Sequence, residues 1–448
     1  MKYAVFLISA FLLIHGPLLA QESRPWSLQE CVEYAIEHNA TLKKEEYSYE
    51  TKELSVKEKE WAFAPTITAN SSFSASRGRV LDQTTYEFIG NSRIGTGTYS
   101  IVGNVTLFNG FRSLFELDLS KLDLKAAFYQ AESKENELRK MIIDAYFLIK
   151  CNEAAIESSK HIRDIVGSQL EIIEKRLMFG RAIETDFLSA KSLYYEADCD
   201  VVTAEGNLEI SKNNLCYLLG INPPLPFTIE NVDSVDVLCT DDLDIITESL
   251  PEYLASEIGI KIAEKERKIV QSYFSPTLSL SLGYGSSFST ARKMLIEDSF
   301  NSNIYKPYPF MNQLIDNASY YFTLNLSIPI FNRYSTKIQD KKAVIAIENA
   351  RVSFSAVTQK LHQEMNQLKI ECHSAYKKSE MAEQEFIFAE STELNLREKY
   401  KLGLVDYNTW NTSLVNLAKA RYNLVEAKYL YLAKAQYAQF ILCNHINY

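Results

Sequence analysis

Side chains able to do chemistry are present in this chain but are not assembled by spacing. Seven cysteines, at Cys31, Cys151, Cys199, Cys216, Cys239, Cys372 and Cys443, include no Cys-x-x-Cys pair and no regular interval. That pattern argues against a disulfide framework and against a structural zinc site. Cys216 and Cys239 flank the proline-bearing stretch Asn222–Pro226 and are the pair to examine first for a bond. Of six histidines, His362 and His373 can share a helix face at i and i+11. Two ligands three turns apart do not enclose a metal, so solvated or packed imidazoles are expected. Gly95-Thr-Gly97 has no third glycine and no following helix, which a dinucleotide loop requires. Neither a Gly-x-Ser-x-Gly elbow nor a phosphate-binding loop occurs. The chain therefore reads as no enzyme, with no cofactor and no metal site.

Something other than catalysis must account for 448 residues. The formal net charge of −10 speaks against a nucleic-acid partner, because phosphate binding needs a basic face. Lys2 precedes an apolar run from Tyr3 to Ala20, followed by polar Gln21-Glu22-Ser23, so residues 1–20 read as a secretory signal peptide. After it no apolar stretch is long enough for a transmembrane helix. Export without a helical anchor leaves a protein that is either soluble beyond the inner membrane or inserted as strands.

The chain is written twice. Trp61-Ala-Phe-Ala-Pro65-Thr-Ile-Thr-Ala recurs as Ser272-Tyr-Phe-Ser-Pro276-Thr-Leu-Ser-Leu, an offset of 211. Leu107-Phe108-Asn109-Gly110-Phe111 recurs as Ile330-Phe331-Asn332-Arg333-Tyr334 at an offset of 223, and the same 223 relates Phe179-Gly180 to Leu402-Gly403. Internal repetition on this scale points to duplicated architecture. The first repeat covers 21–222, with strands about 66–76 and 98–108, a long helix about 112–179 and a return helix about 181–219. A linker spans 223–242. The second repeat covers 243–448, with strands about 277–286 and 320–330, a long helix about 334–402 and a return helix about 404–442. The intervening 77–98 and 287–318 read as loops.

The strand segments alternate apolar and small polar residues, as in Leu278, Leu280, Leu282 and Tyr284 against Thr277, Ser279, Ser281 and Gly283. Outer-membrane barrel strands alternate in this way, and so does the half-buried sheet of a soluble domain. Helix length shifts the balance. Arg112 to Phe179 contains no proline and spans roughly 100 Å if helical throughout. Leu117, Leu124, Ala131, Leu138 and Ala145, and then Ile347, Phe354, Leu361, Leu368, Ala375, Ala382 and Ala389, keep a seven-residue interval that means coiled-coil packing. Leu28–Ala64 and Arg181–Leu219 are about half that length. Four strands cannot close a barrel, because two edges would stand unpaired in lipid. Inserted strands therefore require an oligomer; periodicity allows eight strands in a dimer or twelve in a trimer.

Leu28-Gln-Glu-Cys-Val-Glu-Tyr-Ala-Ile-Glu-His-Asn-Ala-Thr-Leu42, Pro65, the Phe108-Asn109 corner and Tyr400-Lys-Leu-Gly403-Leu-Val-Asp-Tyr407, in this order and duplicated, resemble the TolC-like outer membrane efflux protein family over essentially the whole mature chain. The resemblance implies a mainly α protein with a β-barrel portion. It implies a homotrimer with a twelve-stranded outer-membrane barrel on a long coiled-coil periplasmic tunnel. Its implied role is exit duct of a tripartite efflux or type I secretion system, in contact with outer-membrane lipid, a periplasmic adaptor and an inner-membrane transporter of the RND or ABC type. A soluble periplasmic adaptor or scaffold is the rival reading. By the same resemblance the glycine breaks form the periplasmic tip, with Phe179, Gly180, Asp186, Phe187, Tyr400, Gly403, Tyr407 and Trp410 as gate residues. Tyr400 matches the family's gate tyrosine and Asp186 an acidic partner. The chain departs from the pattern at Val405, where an arginine often sits, and at Thr409 and Thr412, where acidic residues form a ring. Closure is then expected to lean on packing of Trp410, Phe187 and Tyr407.

Overall fold

The computed structural model describes residues 25–81, 86–225, 228–230, 247–297 and 303–446. The signal-peptide reading of 1–20, most of the linker and Cys239 lie outside the described residues. Cys31, Cys151, Cys199, Cys216 and Cys372 are not joined in disulfides.

Among the described residues eight α-helices and six strands follow one another: α1 (Leu28–His38), α2 (Ala40–Trp61), β1 (Thr66–Leu81), β2 (Phe88–Phe108), α3 (Arg112–Met178), α4 (Glu184–Leu219), α5 (Pro251–Ser272), β3 (Thr277–Ser289), β4 (Lys293–Glu297), β5 (Asn303–Pro307), α6 (Phe310–Asp316), β6 (Ser319–Ser327), α7 (Ser335–Lys401) and α8 (Tyr407–Ile446). They form two compact units. One holds the described residues through Tyr47, Tyr129–Leu254 and those from Ala356 on; the other holds Ser48–Phe128 and Ala255–Ser355. Each unit draws on both halves of the sequence.

The first unit is helical. Cys31 and Ala35 of α1, Leu138, Ile142, Tyr146 and Ile149 of α3, and Leu215 and Leu219 of α4 make one buried cluster. Ile143 and Phe147 on α3 meet Leu432 and Ala433 on α8, and Leu361, Met365 and Leu368 on α7 meet Ala438 and Ile441 on α8. Five of the seven heptad positions read on α7 (Ile347, Leu361, Leu368, Ala375 and Ala382) are buried. Side-chain periodicity thus translates into a packed seam. A bridge between Trp26 and Ile229 pins the chain start to the linker. The Tyr146 hydroxyl donates toward Glu230 O at 2.8 Å and Trp26 O at 3.1 Å, and Lys150 Nζ donates to Ile229 O at 2.9 Å.

Asn39 corrects the single helix read over 28–64. Its backbone leaves the helical region at the end of α1, and its side chain accepts from the Thr41 amide at 2.8 Å to start α2. Asparagine favours such caps because its short side chain competes with helix hydrogen bonding. Asn39 Nδ2 also donates to Leu218 O, near the end of α4.

The second unit carries an antiparallel sheet in the order β1-β2-β3-β6. Register places Ile67, Ala69, Ile101, Val105, Leu278, Leu280, Leu282, Phe322, Leu324 and Leu326 on one face. Thr68, Asn70, Ser100, Asn104, Ser279, Ser281, Thr323 and Asn325 occupy the other. The apolar face is not covered: Leu282, Phe322, Leu324 and Leu326 are each more than half exposed.

Three strand readings need correction. The loop read at 77–98 is mostly ladder, since β1 and β2 stay paired through Ser76–Ile94, Arg77–Arg93 and Gly78–Ser92. Polar residues on both faces there hide the strand from an alternation test. The loop read at 287–318 contains the β4–β5 hairpin and α6. Its last strand runs only over Ser319–Ser327, because Pro329 offers no backbone donor to the ladder. Beyond Gly285, β3 has no β6 partner. There α6 seals the edge: Asn317 Nδ2 donates to Ser287 O at 2.7 Å, and the Ser289 amide donates to Gln313 Oε1 at 2.9 Å.

Candidate functional site

Two helix hairpins, α3–α4 and α7–α8, turn in the helical unit. Each long helix stops at a glycine in the left-handed region, Gly180 at φ 66° and Gly403 at φ 74°. At the first, the Gly180 amide donates to Leu177 O and the Arg181 amide to Arg176 O. At the second, the Gly403 amide donates to Tyr400 O and the Leu404 amide to Lys399 O. The two bonds, spanning three and five residues, form a Schellman motif, which satisfies the orphan carbonyls of the last turn.

The starts of the return helices differ. Asp406 Oδ1 accepts the Thr409 amide at 2.9 Å and caps α8. The Thr409 hydroxyl, then its amide, hold the Asp406 carboxyl below the usual carboxylate range. The N-cap of α4 is Ile183, whose side chain accepts nothing.

Three of the expected gate residues come together in the second hairpin. Tyr400 stacks on Trp410 with centroids 5.0 Å apart, and Tyr407 meets both rings edge-on at 5.8 Å. Beneath them lies a residue that sequence reasoning missed: Glu393, 2 % exposed, whose Oε1 accepts Trp410 Nε1 and Arg397 Nε, each at 3.0 Å. A buried carboxylate is tolerated where charge and hydrogen bonds are both met. The signal was available, since Glu393 and Arg397 stand four apart and one turn before Tyr400. A second missed group joins the long helix of the first hairpin to the return helix of the second. Asn411 Nδ2 donates to Gln169 Oε1 at 2.6 Å, and Gln169 Nε2 donates to Asn408 Oδ1 at 3.3 Å.

The first hairpin is open by comparison. Phe179 is exposed, and so is Asp186, whose carboxylate has no ion-pair partner among the described residues. Phe187 is half-buried under Lys191, whose Nζ lies 5.8 Å from the ring centroid. Phe187 does not share the cluster of Tyr407 and Trp410, so the expected three-residue packing is not formed within one chain.

Tight glycine turns and heptad seams thus mark the helical unit, and an amphipathic sheet with exposed apolar residues marks the other. Residues 32–221 and 245–437 match the family described as outer membrane efflux protein, and the chain belongs to that family. It is accordingly an outer-membrane efflux channel with a periplasmic helical domain, and not an enzyme. No protein of curated function matches the sequence at a significant level. Solved structures similar to it in fold include the following three. CusC has 16% sequence identity, with 94% of this chain and 93% of that one covered and a TM-score of 0.76. VceC from Vibrio cholerae has 16% identity, 92% and 95% coverage and a TM-score of 0.73. The Campylobacter jejuni CmeC outer membrane channel has 14% identity, 92% and 85% coverage and a TM-score of 0.75.

Proposed function

We propose that three copies close a twelve-stranded barrel in the outer membrane, continue as a coiled-coil tunnel, and receive cargo through a periplasmic adaptor and an inner-membrane RND or ABC transporter. In this reading, 21–222 and 243–448 are structural repeats joined by 223–242. Phe179, Gly180, Asp186, Phe187, Tyr400, Gly403, Tyr407 and Trp410 line the periplasmic tip. The carrying observation is the sheet: β1 and β6 are its open edges, and its apolar face is exposed. Each unpaired backbone group costs several kcal/mol in hydrocarbon, so the edges must find partners. A soluble scaffold gives no reason for that exposed face.

The helices carry matching support. Leu188, Tyr195 and Val202 on α4 are exposed at seven-residue intervals, as are Met381 and Phe388 on α7. Unpartnered heptad stripes are what a neighbouring copy would cover. Three Asp186 carboxylates around one axis would favour cations and repel one another.

Single-channel recording in planar bilayers tests this reading, comparing wild type with Asp186→Asn. Discrete cation-selective steps, with selectivity reduced in the variant, are expected. Unchanged selectivity would remove Asp186 from the gate. Failure of folded protein to insert would overturn the channel.

A further inference from the structure

Four chain segments connect helices to the sheet at one end. Thr66 and Thr277 open β1 and β3 there, and Phe108 and Ser327 close β2 and β6, because Phe108 pairs with Leu278 and Ser327 with Thr277. Aromatic residues crowd these segments and remain exposed: Trp61 before β1, Phe111 after β2, Phe274 before β3, Tyr334 after β6. Charge there is one-sided. Residues 61–66, 107–113, 272–277 and 328–337 contain Arg112, Arg333 and Lys337, and no Asp or Glu. A chain of net charge −10 therefore places a collar of three cations at one end of its apolar sheet, with Glu60 adjoining the first segment and Arg112 lying 4.0 Å from Glu116.

Two of the cations already lie over rings, Arg112 over Tyr273 at 4.7 Å and Lys337 over Tyr334 at 5.6 Å. The third has no such contact. Arg333 is exposed and, among the described residues, makes no ion pair or side-chain hydrogen bond. Its backbone is in the left-handed region, φ 57°, where the corresponding position of the other corner is Gly110 at φ 70°. A non-glycine residue pays a conformational cost there. The corner keeps an arginine where glycine fits better.

From this we infer that the collar binds the phosphate of anionic phospholipids in the adjoining membrane leaflet, with Arg333 as its principal ligand. Guanidinium forks match phosphate oxygens, exposed aromatic rings sit at the headgroup level, and apolar strand residues lie beyond them in the acyl region. Closing the ring of copies sets the β6 corner of one copy, with Arg333, beside the β1 corner of the next, with Trp61. The inference rests on the membrane-spanning reading of the sheet.

Trp61 supplies the probe. Full-length protein carrying Trp26→Phe and Trp410→Phe is reconstituted in phosphatidylcholine vesicles with a minor fraction of bromine-chain phosphatidylglycerol or bromine-chain phosphatidylcholine. Bromine quenches indole fluorescence on contact. The expected result is quenching by phosphatidylglycerol at about five-fold lower mole fraction, the scale of one well-placed cation at an anionic surface. Arg333→Gly, which suits the backbone and so preserves folding, should bring the ratio close to one, and Arg333→Lys should keep most of it. Equal quenching by both lipids in the parent protein overturns the inference. Loss of the preference on adding inorganic phosphate would assign the site to free phosphate and overturn the lipid assignment. Absence of quenching by either lipid would overturn the membrane-spanning reading itself.

Discussion

At the scale of single residues, the tip shows how the same turn is finished in two ways. Gly180 and Gly403 end their helices with the same hydrogen bonds, yet Asp406 caps the following helix and Ile183, its counterpart at the 223-residue offset, does not. The depressed carboxyl of Asp406 fixes the sign of a pH effect. A group whose folded value is lowered stabilises fully above its unfolded value of about 3.9, and that stabilisation is lost as pH falls through the folded value. Hydrogen-exchange protection at the Thr409 amide should therefore hold from neutral pH down to about pH 5 and decline in stronger acid. Asp406→Ala should show the loss at every pH, and unchanged protection at neutral pH would remove the cap from the account. Glu393 illustrates the limit of reading residues singly. Its i, i+4 spacing to Arg397 resembles any surface ion pair, and only burial under Trp410 gives it a positioning role.

Among the elements, the missing cap at Ile183 makes a complementary test. Ile183 is largely exposed, so replacing it sacrifices little packing. Ile183→Ser should supply an acceptor for the Thr185 or Asp186 amide and stabilise the start of α4 by about 1 kcal/mol. Exchange protection of those amides should rise about five-fold, and an unchanged rate would mean the first turn is held by something else. The long helices were legible because heptads persist over dozens of residues, and α3 and α7 stop within one residue of where the glycines place the breaks. The outer halves of β1 and β2 were not, since arginine and serine on both faces erase the two-residue period. Helix α6 was not either: seven residues are too few for a periodic signal, although Pro309 marks its start. Asn39 was readable in principle as a cap, but no glycine or proline beside it or within α2 marks the junction.

For the whole molecule, one chain is incomplete by its own chemistry. Met381 and Phe388 leave an apolar stripe on α7 that no described residue of the same chain covers; burying a phenylalanine side chain contributes about 1.5–3 kcal/mol, repeated in each copy. On the trimer proposed above, Phe388→Glu should shift the purified protein toward monomer, as read by native mass spectrometry, while circular dichroism stays helical. A variant that remains trimeric would place the interface elsewhere. The two edges of the sheet are unequal: β1 runs over 16 residues from Thr66 to Leu81, whereas β6 is nine residues long. Where copies meet, the seam can be no longer than its shorter strand. On the proposed twelve-stranded closure, a copy entering the bilayer alone would carry two bare edges into oil. In that assembly subunits would meet before they insert, so the rate of insertion should rise with protein concentration.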